Sequence, residues 1–148
     1  MKIVMGADHG GYQLKNSLRD HLTEQGHTVI DLGCQGERVD YPDYGQKVGE
    51  TVAAGEADYG ICVCGTGIGI SIAVNKIPGI RAALCTNEYE AMMTRRHNDA
   101  NVLVMGGRVI GEELAKDIAR VFFSTEFEGG RHQKRIDKIA AIEAKYNR

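Results

Sequence analysis

The chain has 148 residues, a formal net charge of −2, 43% hydrophobic and 26% charged residues, the balance of a folded globular protein rather than a disordered tail. With 18 Lys and Arg against 20 Asp and Glu there is no basic footprint for nucleic acid and no polybasic patch for a membrane surface. No apolar run approaches the ~20 residues that span a bilayer.

The elements alternate between strand and helix along the chain. Lys2-Ile3-Val4-Met5 enters a strand pattern at once, without the apolar stretch and small-residue cleavage site of a signal peptide. After Asp8-His9-Gly10-Gly11, Leu14, Leu18 and Leu22 recur every four residues, which predicts a helix closing near Gly26. Thr28 to Leu32 is a second strand. A polar loop ends at Asp40-Tyr41-Pro42, where Pro42 suits the first turn of a helix striped by Tyr44, Val48 and Val52.

Tyr59 to Cys64 is apolar throughout, as in a strand covered on both faces. A glycine-rich turn and a helix to about Asn75 follow. Ile80 to Leu84 is the fourth strand, and Asn87 with Glu90 reads as an N-cap pair for a helix running to about His97. Asn101 to Met105 is the fifth strand. Leu114, Ile118 and Phe122 mark the next helix, and a last one starts near His132, after Gly129-Gly130.

This alternation predicts one three-layer, Rossmann-like α/β domain over residues 1–148. Its parallel sheet should have five strands in the order 2-1-3-4-5, helices on both faces and an extra C-terminal helix. That last helix could pack on a neighbouring subunit or close its own sheet edge.

Ligands of open parallel sheets bind beyond the carboxyl ends of the strands, where strand order reverses. The rule selects Asp8 to Gly11, Cys64 to Ser71, Thr86-Asn87 and Gly106 to Arg108. In Cys64-Gly65-Thr66-Gly67-Ile68-Gly69, three alternate glycines expose amides at a helix start and admit a close ligand, which favours negative charge. The run is neither a Walker A loop nor a dinucleotide fingerprint.

A thiol at a helix N-terminus is expected to be acidified, which suits Cys64 as nucleophile or general base. Cys34, Cys62 and Cys85 read as buried fillers. All four cysteines are expected as free thiols in a reducing, cytoplasmic setting. No Cys/His pair stands beside Cys62-x-Cys64 to complete a zinc site, so no metal is expected. Asp8-His9 offers an acid/base pair. Arg131 and Arg135, four apart on one helix face, could bind a phosphate with Arg108, although a solvated face is the usual meaning of such a pair.

Taken together, several runs resemble the type B ribose-5-phosphate isomerases, in the family these share with the galactose-6-phosphate isomerase subunits. The matching runs are Asp8-His9-Gly10-Gly11, Asp40-Tyr41-Pro42-Asp43, Cys64 to Ser71, Asn75-Lys76 with Gly79-Ile80-Arg81, Arg96-His97-Asn98, and Gly129-Gly130-Arg131-His132 with Arg135. The match is collinear from Lys2 to about Tyr146.

The resemblance implies a cofactor-free, metal-free aldose–ketose isomerase working through a cis-enediolate. It makes Cys64 the base between C1 and C2, with Thr66 and the amides of Gly65, Gly67, Ile68 and Gly69 stabilising the enediolate. It makes His97 the residue that opens the sugar ring. Asp8, Tyr41 and Asn98 would hold the sugar, and His9, Arg108, Arg131 and Arg135 its phosphate. The family builds the site at a homodimer interface, and whether dimers pair into tetramers stays open.

Family members with a glutamate base carry it at the position of Ile70, so this chain sits with the cysteine type. Cys64 also argues against the A-type galactose-6-phosphate subunit. Within the class, an allose 6-phosphate, galactose 6-phosphate or tetrulose phosphate remains an alternative substrate. Outside it, the alternative is a non-catalytic phosphate- or nucleotide-binding module.

Overall fold

Side chains along each central strand are dealt alternately to two cores. In β1 (Lys2–Ala7), Ile3, Met5 and Ala7 face one core and Val4 the other. β3 (Tyr59–Cys64) sends Ile61 and Val63 one way and Cys62 and Cys64 the other, and β5 (Val102–Gly106) divides Leu103 and Met105 from Val102 and Val104. A strand with two dry faces has no polar side to show, which is why these strands read as continuous apolar runs. The computed structural model describes residues 1–147.

Helices α1 (Tyr12–Glu24), α4 (Glu88–Asn98) and α5 (Glu112–Ser124) close the first core through Leu14, Leu18, Ala91, Ile118 and Phe122. Helices α2 (Tyr41–Ala53) and α3 (Ile68–Val74) close the second through Val48, Val52, Ile70 and Val74. The N-cap read at Asn87 is present: its side chain accepts the Glu90 N–H at 2.8 Å, and the Glu90 carboxylate accepts the Thr86 N–H at 2.7 Å.

With β2 (Thr28–Asp31) and β4 (Ala82–Leu84) the sheet has five parallel strands, in the order β2-β1-β3-β5-β4. The last two strands are thus exchanged relative to the expected 2-1-3-4-5. All five residues of β5 are buried, so it takes the inner place beside β3, whereas β4 has three half-buried residues and lies on the edge. β4 also starts at Ala82 rather than Ile80. The exchange leaves β1 and β3 adjacent, so their two following turns still flank the point where strand order reverses.

Helix α6 (Arg131–Tyr146) buries His132 and Ile136 and packs on α4, and its Glu143 carboxylate accepts the Gly79 N–H at 2.7 Å. It therefore docks on its own chain, through α4 and the Gly79 turn that precedes β4. Its outer face leaves Ile139, Ile142 and Tyr146 exposed, and the nearby α3 exposes Ile68 and Ile72.

One charge cluster is locked into the frame. Lys15 is fully buried; its Nζ lies 2.6 Å from Asp31 Oδ1, whose other oxygen accepts from Arg19 at 2.9 Å. Burial alone would raise the Asp31 pKa, but hydrogen bonds from Lys15, the Gly33 N–H and Arg19 outweigh it and hold the carboxyl below its ordinary value. The carboxylate therefore stabilises the fold above about pH 4, the unfolded carboxyl pKa, and that contribution is lost as pH falls through the lower folded value. Asp31→Asn strands a buried ammonium and is expected to cost about 3–5 kcal/mol in urea denaturation at pH 7. A loss below 1 kcal/mol would show that solvent reaches Lys15.

Candidate active site

The turns that follow β1, β3 and β5 interlock through glycine at the carboxyl edge of the sheet. A Cβ on Gly10 would sit 3.0 Å from the Gly65 nitrogen, and one on Gly107 would sit 2.7 Å from the Gly10 oxygen. Gly107 N–H donates to the Cys64 carbonyl at 2.8 Å, and Arg108 N–H to the Gly65 carbonyl at 2.9 Å. Three backbones meet where side chains would hold them apart. This accounts for much of the glycine content that composition leaves unexplained.

Gly67 gives the middle turn its direction. Its φ is +81°, and a Cβ there would lie 2.5 Å from Leu84 Cδ1. In that conformation the Gly67 N–H donates to Cys64 Sγ at 3.2 Å. The Cys64 sulfur, buried at the foot of the turn, thus already accepts one backbone donor. Cys62 and Cys85 differ. Burial, reinforced by Cys64, drives the Cys62 thiol far above its ordinary pKa, and burial with Glu90 pushes Cys85 up to about 12. Both are inert fillers.

Around Cys64 the fold gathers a set of the expected residues. Asp8, buried, accepts the Gly10 N–H at 2.9 Å and so fixes the first turn. His9 Nδ1 accepts the Val39 N–H at 3.4 Å, tying that turn to the loop before α2. Tyr41 packs its ring over Gly69, where a Cβ would lie 2.6 Å from Cζ. The Thr66 hydroxyl accepts the Ile68 N–H at 3.2 Å, and a Cβ on Gly65 would be 3.4 Å from an Arg108 terminal nitrogen. Asp8, His9, Tyr41, Cys64, Thr66, the Gly65–Gly69 amides and Arg108 therefore share one edge of the sheet.

His97, Asn98, Arg131 and Arg135 are not among them. Helix α4 leaves from the carboxyl end of β4 and returns along 11 residues to the start of β5, a run of ~16 Å. The Asn98 carbonyl accepts from Arg81 Nε at 2.8 Å, and Arg81 stands at the amino end of β4. His97 and Asn98 thus lie at the opposite end of the sheet from Cys64. Arg131 and Arg135 start α6 beside them, so the expected grouping of Arg108 with these two arginines does not form within one chain.

At that second end the structure adds a residue to which the sequence reading gave no role. The His132 ring stacks on His97, with centroids 4.1 Å apart and planes 14° from parallel. His132 is 3% exposed, and its Nε2 lies 3.5 Å from a Glu128 oxygen without a hydrogen-bond partner among the described residues. Donor atoms of His97, Glu128 and His132 fall within 4.8 Å of one another. Near-parallel rings, however, aim their in-plane lone pairs side by side rather than at one point, so the pair has the geometry of a stack and not of a chelate. The legible signal was spacing: His132 lies one helical turn before the buried Ile136 and must face inward with it.

Comparison with known proteins places this geometry. A family model described as Ribose/Galactose Isomerase matches residues 3–139. The chain is 52% identical over 147 residues to ribose-5-phosphate isomerase B of Escherichia coli, covering 99% of each. It is 41% identical over 145 residues to the D-erythrulose-4-phosphate isomerase of Pectobacterium atrosepticum, covering 97% of this chain and 95% of that one. Among solved structures, ribose-5-phosphate isomerase B of Clostridium thermocellum superposes with a TM-score of 0.98 at 57% identity, over 99% of this chain and 100% of that one. With its glycine-locked turns and its cysteine at the carboxyl end of β3, this chain belongs to the ribose/galactose isomerase family.

Proposed function

We propose that this chain interconverts D-ribose 5-phosphate and D-ribulose 5-phosphate through a cis-enediolate, as a cytoplasmic homodimer whose two active sites are each shared between subunits. The observation that carries the reading is the Cys64 sulfur, held under a Gly67 N–H in a turn of close-packed glycines. Relatives named as ribose-5-phosphate isomerase B, at 52% and 57% identity, support the choice of sugar. Four free, buried cysteines fit a reducing compartment.

In this reading Cys64 carries a proton between C1 and C2 of the open sugar. The Thr66 hydroxyl and the Gly65–Gly69 amides receive the negative charge that develops on oxygen, the term that dominates such sites. Asp8 binds sugar hydroxyls, and Tyr41 flanks the cradle. His97 moves the proton that opens the furanose, with Asn98 positioning the ring. His9, Arg108, Arg131 and Arg135 hold the phosphate dianion, where a guanidinium can bind two oxygens at once. Moving a proton between adjacent carbons needs a base and an oxyanion cradle, so no cofactor enters.

The two clusters lie at opposite ends of the sheet, and one sugar phosphate cannot touch both within a chain. A second copy brings its His97 cluster to the Cys64 cluster of the first. The exposed Ile68, Ile72, Ile139, Ile142 and Tyr146 are the apolar surface that pairing would cover.

The test is kcat/KM on a panel of phosphorylated tetroses, pentoses and hexoses. Ribose 5-phosphate is expected to lead by at least about 10-fold, the discrimination available from one extra or missing carbon in a fitted pocket. A preferred tetrose or hexose would move the substrate and keep the reaction. Turnover of none would remove the enzyme reading.

A further inference from the structure

We propose that His132 is a positioning residue for ring opening: its ring, stacked on His97 and backed by Glu128, fixes the orientation in which His97 meets the sugar. The proposal rests on the reading of His97 given above. His97 ends a helix and is half-buried, and its ring is braced by the face of His132. The brace is itself well fixed. His132 is buried on the first turn of α6, its N–H donates to the Gly129 carbonyl at 3.0 Å, and the Glu128 N–H donates to the Arg96 carbonyl at 3.1 Å.

The segment that carries His132 is thereby tied to the residue preceding His97. Burial, then His97, then Arg131 lower the His132 pKa, so this ring stays neutral near pH 7. A neutral π-face can lie against a protonated His97 without charge repulsion. The near-parallel stack leaves the in-plane nitrogens of His97 free for proton transfer, the work assigned to it. Its partner has no such freedom: the buried Nε2 faces Glu128.

The chemistry supplies an assay that isolates this step. Ribose 5-phosphate in water is mostly a furanose closed through O4 and must be opened. Ribulose 5-phosphate would have to close through O5, which carries the phosphate, and so is always open. Exchange of its C1 hydrogen with solvent deuterium needs Cys64 and the cradle but no ring opening. His132→Ala is expected to lower kcat on ribose 5-phosphate by about 10- to 100-fold, the cost of a misplaced catalytic group. C1 exchange from ribulose 5-phosphate should stay within about 3-fold, and so should KM, since Arg131 and Arg135 remain. His132→Phe keeps a buried ring against His97 and is expected to recover most of the lost turnover.

Unchanged turnover in His132→Ala, or parallel loss of turnover and exchange, would overturn the proposal. If alanine unfolds the start of α6, His132→Phe decides: turnover retained supports the stack, and turnover lost overturns it. His97→Asn, run alongside, separates the two claims. Loss of ring opening there with none in His132→Ala removes only the positioning role, and no loss in either removes the assignment of His97.

Discussion

Replacing Cys64 by alanine is expected to abolish isomerisation and to leave substrate binding nearly intact. General bases contribute about 10²–10⁴-fold, and with no other thiol in the turn the expected fall in kcat lies at the upper end of that range. The remaining cysteines cannot substitute. Cys62 points into the same core from the interior of β3, and Cys85 sits behind β4 with its thiol donating to the Ala83 carbonyl. Binding should persist because the proposed phosphate-binding arginines lie outside the turn, so the Kd for ribose 5-phosphate by calorimetry should move less than about 3-fold. Exchange at C1 of ribulose 5-phosphate should vanish in parallel with turnover. Retention of either would take the proton-transfer role from Cys64, and loss of binding would give it a structural part instead.

His97→Asn should lower turnover of ribose 5-phosphate by about 10²-fold or more while C1 exchange survives. The larger effect comes from mixing. Refolded at equal concentration, Cys64→Ala and His97→Asn chains form half of their dimers as mixed pairs. In each mixed pair one site carries both lesions and the other carries neither. Two preparations that are each nearly inactive should together show about a quarter of wild-type activity, as expected for a two-fold dimer with shared sites. Additive residual rates, with no recovery, would put Cys64 and His97 in one chain's site and contradict the separation across the sheet.

Much of this was legible in advance, for physical reasons that differ from residue to residue. The alternation of strands with helices and the chemistry of the Cys64–Gly69 turn are local properties, carried by residues adjacent in sequence. The order of β4 and β5 is not local. It depends on how much buried apolar surface each strand offers to β3, and a three-residue β4 loses that competition to a fully buried β5. Asp8, His9 and Arg108 lie at the same end of the sheet as Cys64, because each follows the carboxyl end of a parallel strand.

His97, Arg131 and Arg135 were assigned through family resemblance, and nothing in their spacing shows that they sit at the other end of the sheet. That follows only from tracing α4 back along its strand. His132 has no role legible in the sequence, since its stacking joins the last turn of α4 to the first turn of α6, between residues 35 positions apart. Lys15 and Asp31 were missed for a similar reason: an ammonium in a helical stripe of leucines looks like surface until its partner strand is placed beside it.

The distance between Cys64 and His97 within one chain also sets how the protein behaves on dilution. On the proposed pairing a lone chain holds two incomplete halves and turns over nothing. Specific activity should then be constant well above the dimer dissociation constant. Below it, the total rate should follow the square of the chain concentration. Enzyme supply in a cell would carry the same threshold, with small changes in expression near it producing disproportionate changes in flux.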